Sequence, residues 1–557
     1  MRNLCLPLRR TRFLLFSLSR YFRAGLSRPS ASRLVRAWSD RWHRPATFVR
    51  TCGWSAISWA AAGVVLLVLP GAAMAVRCPG NPATVKPNDN LQALVSACPA
   101  GTTFNLAAGV HHDSVTQLKN NDVFAGESGA IESGARQLTG WTQVSVNGGS
   151  YWTAPGGTPL HSEPANAAHC QANYPACWYA QDLFVDNKDY VHAASLNNFS
   201  AGTWYYDFDG SDGGTPNNVY LADDPTGHDV ELAVLPFAFF SATASGITVQ
   251  NLTIEKYAPN IQEGAVEPRA PGWVIQNCDI RLNHGSGISI RPSGNNIRVL
   301  NNSLHDNGQF GINVGAVNNV TVDGNDIFHN NIDHVKTGFG SGCCKFTGRN
   351  FMISNNKVHD NLGMGLWSDV FASGITYDHN VVYNNSGEGI RVEISDRNTI
   401  TNNIVYGNGF GDPDEGGQKG PQIHYASSSH ATITGNIITV SPGSAGGIVV
   451  DYNARREGCG PGCKVPEEMN ISGNRITVLA PNLSAVEVKD YSNSFHQWGK
   501  DSMFDGNTYC MPNGGKPQMR FGDGNPPPAI SFKDWQHRRQ DPNGQVSQNA
   551  SDCSSGG

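Results

Sequence analysis

The chain has 557 residues, 62 of them Gly and only 15% charged, which is enough for one elongated domain with accessory segments. Charge is divided unevenly: residues 1–75 hold twelve Arg, no Lys and one acidic residue, a formal +11, so in a chain of net charge −6 the remainder carries −17. An acidic body argues against nucleic acid and anionic membrane surfaces as partners, and weighs against a highly anionic substrate.

The first predicted element is a leader over residues 1–75. An apolar run from Trp59 to Pro70 precedes Ala73-Met74-Ala75, the small-x-small pattern of a secretory signal cleaved near Ala75. The implied location is secreted or extracellular, the cell surface included, with no membrane insertion after cleavage. Arg9-Arg10-Thr11-Arg12 has twin-arginine character, but it stands far from the apolar run. Eleven Cys follow the cleavage point, and the close pairs Cys78/Cys98, Cys170/Cys177 and Cys459/Cys463 read as local disulfides in an exported chain. The odd count leaves one thiol over. Cys459 and Cys463 lack companions at zinc spacing, so no metal ligand set is assigned and no cofactor is required.

Residues 76–136 are read as an N-terminal cap with the first coils, because Leu91-Gln92-Ala93-Leu94-Val95 suits a short helix covering the end of a stack. Residues 137–240, with Trp178-Tyr179, Trp204-Tyr205-Tyr206 and Asn218-Val219-Tyr220-Leu221, read as an inserted β-rich subdomain. Its Asp207-Phe208-Asp209-Gly210-Ser211-Asp212 has the alternate carboxylates of a calcium loop, although a hairpin turn is the favoured reading; structural calcium is the one cofactor entertained. Over residues 241–500 a repeat emerges in Asn-x-aliphatic steps at Asn302, Asn325, Asn356, Asn380, Asn403, Asn436 and Asn474, spaced by 23, 31, 24, 23, 33 and 38 residues. Near-minimal periods lengthened by loops at a fixed place in the coil mark an all-β solenoid, a right-handed parallel β-helix. The Asn column is expected to stack at an inward turn, and His305-Asp306-Asn307, His359-Asp360-Asn361 and Tyr383-Asn384-Asn385 are expected to be a second turn motif. Residues 501–557, with Pro526-Pro527-Pro528, read as a loosely attached tail.

Aligning the coils defines two outward columns. One holds Ser289, Asn313, Lys336, Trp367, Arg391, His424 and Val449; the other holds Arg291, Gly315, Gly338, Asp369, Glu393, Ala426 and Asp451. Asp369 and Glu393 share a phase on consecutive coils, which places two carboxylates about 5 Å apart, near the separation in a retaining glycosidase. Trp367 beside them suits an exposed sugar platform, with Arg391, His424, Lys336 and Lys345 as further substrate-binding candidates. Enlarged loops at 338–350, 407–421 and 441–468 are available as walls.

Over roughly residues 240–480 the chain resembles the right-handed β-helix proteins of the pectin-lyase-like superfamily. Gly365-Leu366-Trp367-Ser368-Asp369, followed one coil later by Arg391-Val392-Glu393-Ile394, also resembles the catalytic segment of β-helix β-xylosidases. That resemblance implies Asp369 as nucleophile and Glu393 as acid/base. It departs at Ile394-Ser395, where those xylosidases carry Val-Asn-His, which leaves the substrate class open. The leading expectation is a secreted retaining glycoside hydrolase acting on a poly- or oligosaccharide. Two alternatives stand beside it: a polysaccharide lyase or uronate epimerase using Lys336, Lys345, Arg391 and His424, and a non-catalytic glycan-binding or surface β-helix.

Overall fold

The computed structural model describes residues 76–160, 167–411, 417, 419–453, 465–493, 495 and 503–549. The leader and the Cys459/Cys463 pair lie outside the described residues. Among those described, no helix is long and apolar enough to cross a membrane.

Each coil supplies one strand to each of three sheets, of 13, 13 and 12 strands, and successive coils pair in parallel. Thr376–Asp378, Val381–Tyr383 and Ile390–Glu393 form one such turn of the solenoid. In the three-residue strands only the central side chain points inward, so Ile353, Tyr377, Ile400, Ile433 and Ile471 stack along one wall of the core. Strands this short follow from the corners. His379, at φ +55°, takes the left-handed conformation that turns the chain between the first two strands, and the equivalent Asn355 and Asn402 do the same at +55° and +56°.

The Asn column is an inward ladder, as expected. Nδ2 of Asn380 donates to Asn403 Oδ1 at 3.0 Å and to the Ile353 carbonyl at 2.9 Å, while its Oδ1 accepts from the backbone N–H and Nδ2 of Asn356 at 3.0 and 2.9 Å. The second motif forms a parallel ladder through Asn307, Asn330, Asn361, Asn385 and Asn408. These amides answer the buried polar groups of every corner, and an unanswered one costs about 1–3 kcal/mol. Asn380→Ala is therefore expected to lower the unfolding free energy by roughly 3 kcal/mol, read as a lower urea midpoint with an unchanged slope.

Both ends of the stack are capped. Leu91–Ala97 is helical, with Leu91 and Val95 buried and Asn90 Oδ1 accepting from Ala93 N–H at 2.8 Å. Disulfides join Cys78 to Cys98, Cys170 to Cys177 and, outside the sequence reading, the neighbours Cys343 and Cys344. Cys278 keeps a buried thiol, and its N–H opens the Asn ladder by donating to Asn302 Oδ1 at 2.9 Å.

The reading of residues 501–557 as a loose tail is corrected over 503–549. Asn507 extends the ladder below Asn474 and Asp541 closes it, while the helix Phe532–His537 packs Trp535 against Phe504 and Phe521 with ring centroids 5.0 and 5.4 Å away. Proline and glycine between these strands hide the repeat, but the coil persists because its core still needs cover.

The chain leaves the stack after Ala130–Ser133 and re-enters at Phe239–Ser241, so that Val123 pairs with Thr248 directly. Between these points an eight-stranded, mostly antiparallel sheet encloses Trp204, Tyr206, Val219 and Leu221. Asp207–Asp212 is the hairpin turn of this sheet: Asp207 Oδ1 accepts from Gly210 N–H at 2.6 Å and Asp209 Oδ1 from Ser211 N–H at 2.8 Å, so both carboxylates serve their own turn.

Candidate active site

The third sheet carries the site on its outer face. Its register aligns Ser289, Asn313, Lys345, Trp367, Arg391, His424, Val449, Glu487 and Arg520 in one outward column. Lys336 is not in it. The Gly342–Arg349 strand follows a connection that brings Lys345 to the position assigned to Lys336, whose Nζ instead donates to the Ala168 carbonyl of the insert at 2.8 Å. The segment 338–350, expected as a loop wall, is therefore largely strand. Inward neighbours such as Ile312, Cys344, Leu366, Ile390 and Ile423 fill the core, and the alternation fixes the polar face.

Asp369 and Glu393 follow the paired Ser368 and Val392 by one position, so they are equivalent residues of adjacent strands, about 4.8 Å apart in backbone spacing. Each has a cation: Lys345 Nζ lies 3.0 Å from Asp369 Oδ2, and Arg391 Nε and Nη2 both reach Glu393 Oε2 at 3.1 Å. Trp367 is only 5% exposed, which corrects its reading as an exposed platform. Lys345 Nζ sits 3.9 Å from its ring centroid and Arg391 lies over the ring at 5.8 Å, because long cationic side chains on both neighbouring strands close over it.

The same column continues into a buried ion network. Arg391 Nη1 donates to both carboxylate oxygens of Glu388 at 2.9 and 2.8 Å. His424 bridges two acids, with Nδ1 2.8 Å from Glu388 Oε1 and Nε2 2.7 Å from Asp451 Oδ2. Burial pulls His424 down, but the charges of Glu388 and Asp451 outweigh it and raise it to about 9. Burial pushes Glu388 up, yet Arg391 and His424 hold it at about 2. The same His424 keeps Asp451 low against its burial.

The family described as a right handed beta helix region matches residues 265–438. A solved structure of XylC with xylose superposes with a TM-score of 0.53 at 14% identity, covering 83% of each chain. The catalytic unit of a Streptomyces thermodiastaticus GH87 α-1,3-glucanase gives 0.43 at 13% identity, over 85% of this chain and 70% of that one. The A-module of the Azotobacter vinelandii mannuronan C-5 epimerase AlgE6 gives 0.43 at 15%, over 82% and 93%. This chain is a right-handed parallel β-helix. No curated protein matches it in sequence.

On this β-helix two clefts lie along the outward column, one reaching Asn313 and Lys345 and the other His424 and Glu487. One of about 520 Å³ is lined by Arg291, Asn313, Lys345, Arg349, Val370 and Phe371; the other, of about 510 Å³, by Glu388, His424, Glu487, Lys489, Tyr491 and Arg520. The coil corner comes immediately after each carboxylate, with Val370 and Phe371 at φ +48° and +64° and Ile394 at +50°, where the next coil has Ser427 at +48°. β-branched residues are rarely left-handed, at a cost of about 1–2 kcal/mol each, and strain of this kind concentrates at functional sites. The turn leaves Phe371 52% exposed at the cleft edge, where it offers the apolar ring that buried Trp367 does not. Glu388 escaped the sequence reading. Its signal was a charged residue between Gly387 and Gly389 just before an inward-facing strand, which is visible only once the neighbouring coils supply Arg391 and His424.

Proposed function

We propose that this protein is a secreted retaining glycoside hydrolase acting on a poly- or oligosaccharide, with Asp369 as nucleophile and Glu393 as acid/base. The observation that carries the proposal is the pair itself, two acids at equivalent positions of adjacent coils, beside the cations Lys345 and Arg391. In the first step Asp369 attacks the anomeric carbon while Glu393 gives its proton to the departing glycosidic oxygen; in the second, Glu393 takes a proton from the water that releases the sugar from Asp369. Lys345 pairs with the Asp369 carboxylate, and Phe371 supplies the stacking face.

His424 has both ring nitrogens committed and Arg391 is shared between two carboxylates, which disfavours a lyase or epimerase that needs a base and a cation for the substrate's carboxylate. Export is supported by the leader and by the disulfides of the cap and the insert.

The test is a panel of polysaccharides and aryl glycosides, xylosides first because XylC is solved with xylose. New reducing ends without ultraviolet absorbance, and retention of anomeric configuration, are expected. Absorbance from a new double bond would replace the proposal with a lyase, and no reaction across the panel would favour a binding scaffold.

A further inference from the structure

A second cluster lies where the inserted sheet meets the solenoid. Asp182 precedes the strand Leu183–Val185, and Asp189 and His192 lie on Lys188–His192, all within the insert; His284 and Asp333 follow coil strands Asp279–Arg281 and Asp326–Phe328. The five surround one cavity of about 30 Å³, enough for a single ion with a water. His284 is 1% exposed. Its Nδ1 lies 3.1 and 3.2 Å from the two oxygens of Asp182 and 2.9 Å from Asp333 Oδ2.

Hydrogen bonding and ion pairing account for only part of this arrangement: His284 Nδ1 faces both acids, while His284 Nε2 is buried without a partner, and so are both ring nitrogens of His192. The 2.9–3.2 Å spacings are close to the roughly 3.3 Å that separates ligands placed 2.0–2.1 Å from a tetrahedral centre. Room for Asp333 is made by Gly308, where a Cβ would collide with Asp333 Oδ2.

We propose that Asp182, His284 and Asp333, completed by Asp189 and His192, bind one divalent transition-metal ion that clasps the inserted sheet to the β-helix. Imidazole in the ligand set favours a first-row transition ion such as zinc over calcium or magnesium. The ligands come from the insert and from two separate coils, with 102 positions separating Asp182 from His284, so the site exists only in the folded protein and its occupancy adds to folding stability.

The experiment strips the mature protein with chelator, titrates it with zinc by calorimetry, measures bound metal after gel filtration and follows the melting temperature. Wild type is expected to bind a single equivalent and to melt at least about 3 °C higher with zinc. The doubly substituted Asp182→Asn/Asp333→Asn protein, folded by circular dichroism, is expected to bind at least about 100-fold more weakly. Glu132→Gln, in the separate His111–Asp113–Glu132 cluster, should leave zinc binding unchanged. Failure of wild type to bind zinc, or a folded double variant that binds like wild type, overturns the proposal. Anomalous scattering from zinc-soaked wild-type crystals keeps it testable if the double variant does not fold: a peak between His284 and Asp333 supports the site, and a peak elsewhere or none overturns it.

Discussion

Asp369→Asn lowers turnover of the hydrolysed glycoside by about 10³-fold or more and Glu393→Gln by about 10²–10⁴-fold, and the two losses differ in kind. Without the nucleophile no covalent intermediate forms, so the loss is the same whatever the leaving group. Without the acid, an aryl glycoside whose leaving group departs unprotonated still glycosylates Asp369, and the Glu393→Gln defect shrinks on such substrates. Both substitutions keep side-chain shape. Asn at 369 removes a charge from Lys345, but that lysine is one-fifth exposed and reaches water, so the fold survives the change. A 2-deoxy-2-fluoro glycoside should trap the intermediate, and digestion should find the added mass on the peptide containing Asp369. A trap on another residue, or a folded Asp369→Asn variant at wild-type rate, would remove the carboxylate pair from the mechanism.

The solenoid was legible because its determinants are local and periodic. Each corner must satisfy its own buried amides, so the Asn at 302, 325, 356, 380, 403, 436 and 474 recurs whatever the loops between do, and the stacked ladder is the direct image of that recurrence. The outward column was legible for the same reason, except at one coil. There an extended connection slides the strand from Lys336 to Lys345, and no local pattern distinguishes Val335-Lys336 from Cys344-Lys345 as the strand centre. What stayed hidden depends on contacts between coils. Trp367 reads as an exposed ring until Lys345 and Arg391 are laid over it, and Glu388 reads as a turn residue until Arg391 and His424 reach it. The Asp182–His284–Asp333 cluster joins residues 102 positions apart in its closest hydrogen-bonded pair, a distance at which spacing carries no information.

The buried network around His424 makes the second large effect a matter of pH. The unfolded imidazole titrates near 6.5 and the folded one at about 9, raised because Glu388 and Asp451 each bind one of its protons. A raised folded value means that the stabilisation is complete below pH 6.5 and is lost as pH climbs toward 9; the difference corresponds to roughly 3 kcal/mol. Glu388 acts at the other edge. Held at about 2 against an ordinary 4.5, it stabilises above pH 4.5 and loses that contribution as the pH falls toward 2, so the network is strongest between 4.5 and 6.5. His424→Gln removes the cation that Glu388 and Asp451 share, leaving Glu388 with Arg391, and is expected to cost about 3 kcal/mol at pH 6. The deficit should narrow steadily toward pH 9, where wild type has lost the proton as well. Urea midpoints of both proteins from pH 5 to 9 measure this directly; two parallel curves would show that His424 is neutral in the folded protein, and the bridge between Glu388 and Asp451 would then be an ordinary pair of hydrogen bonds.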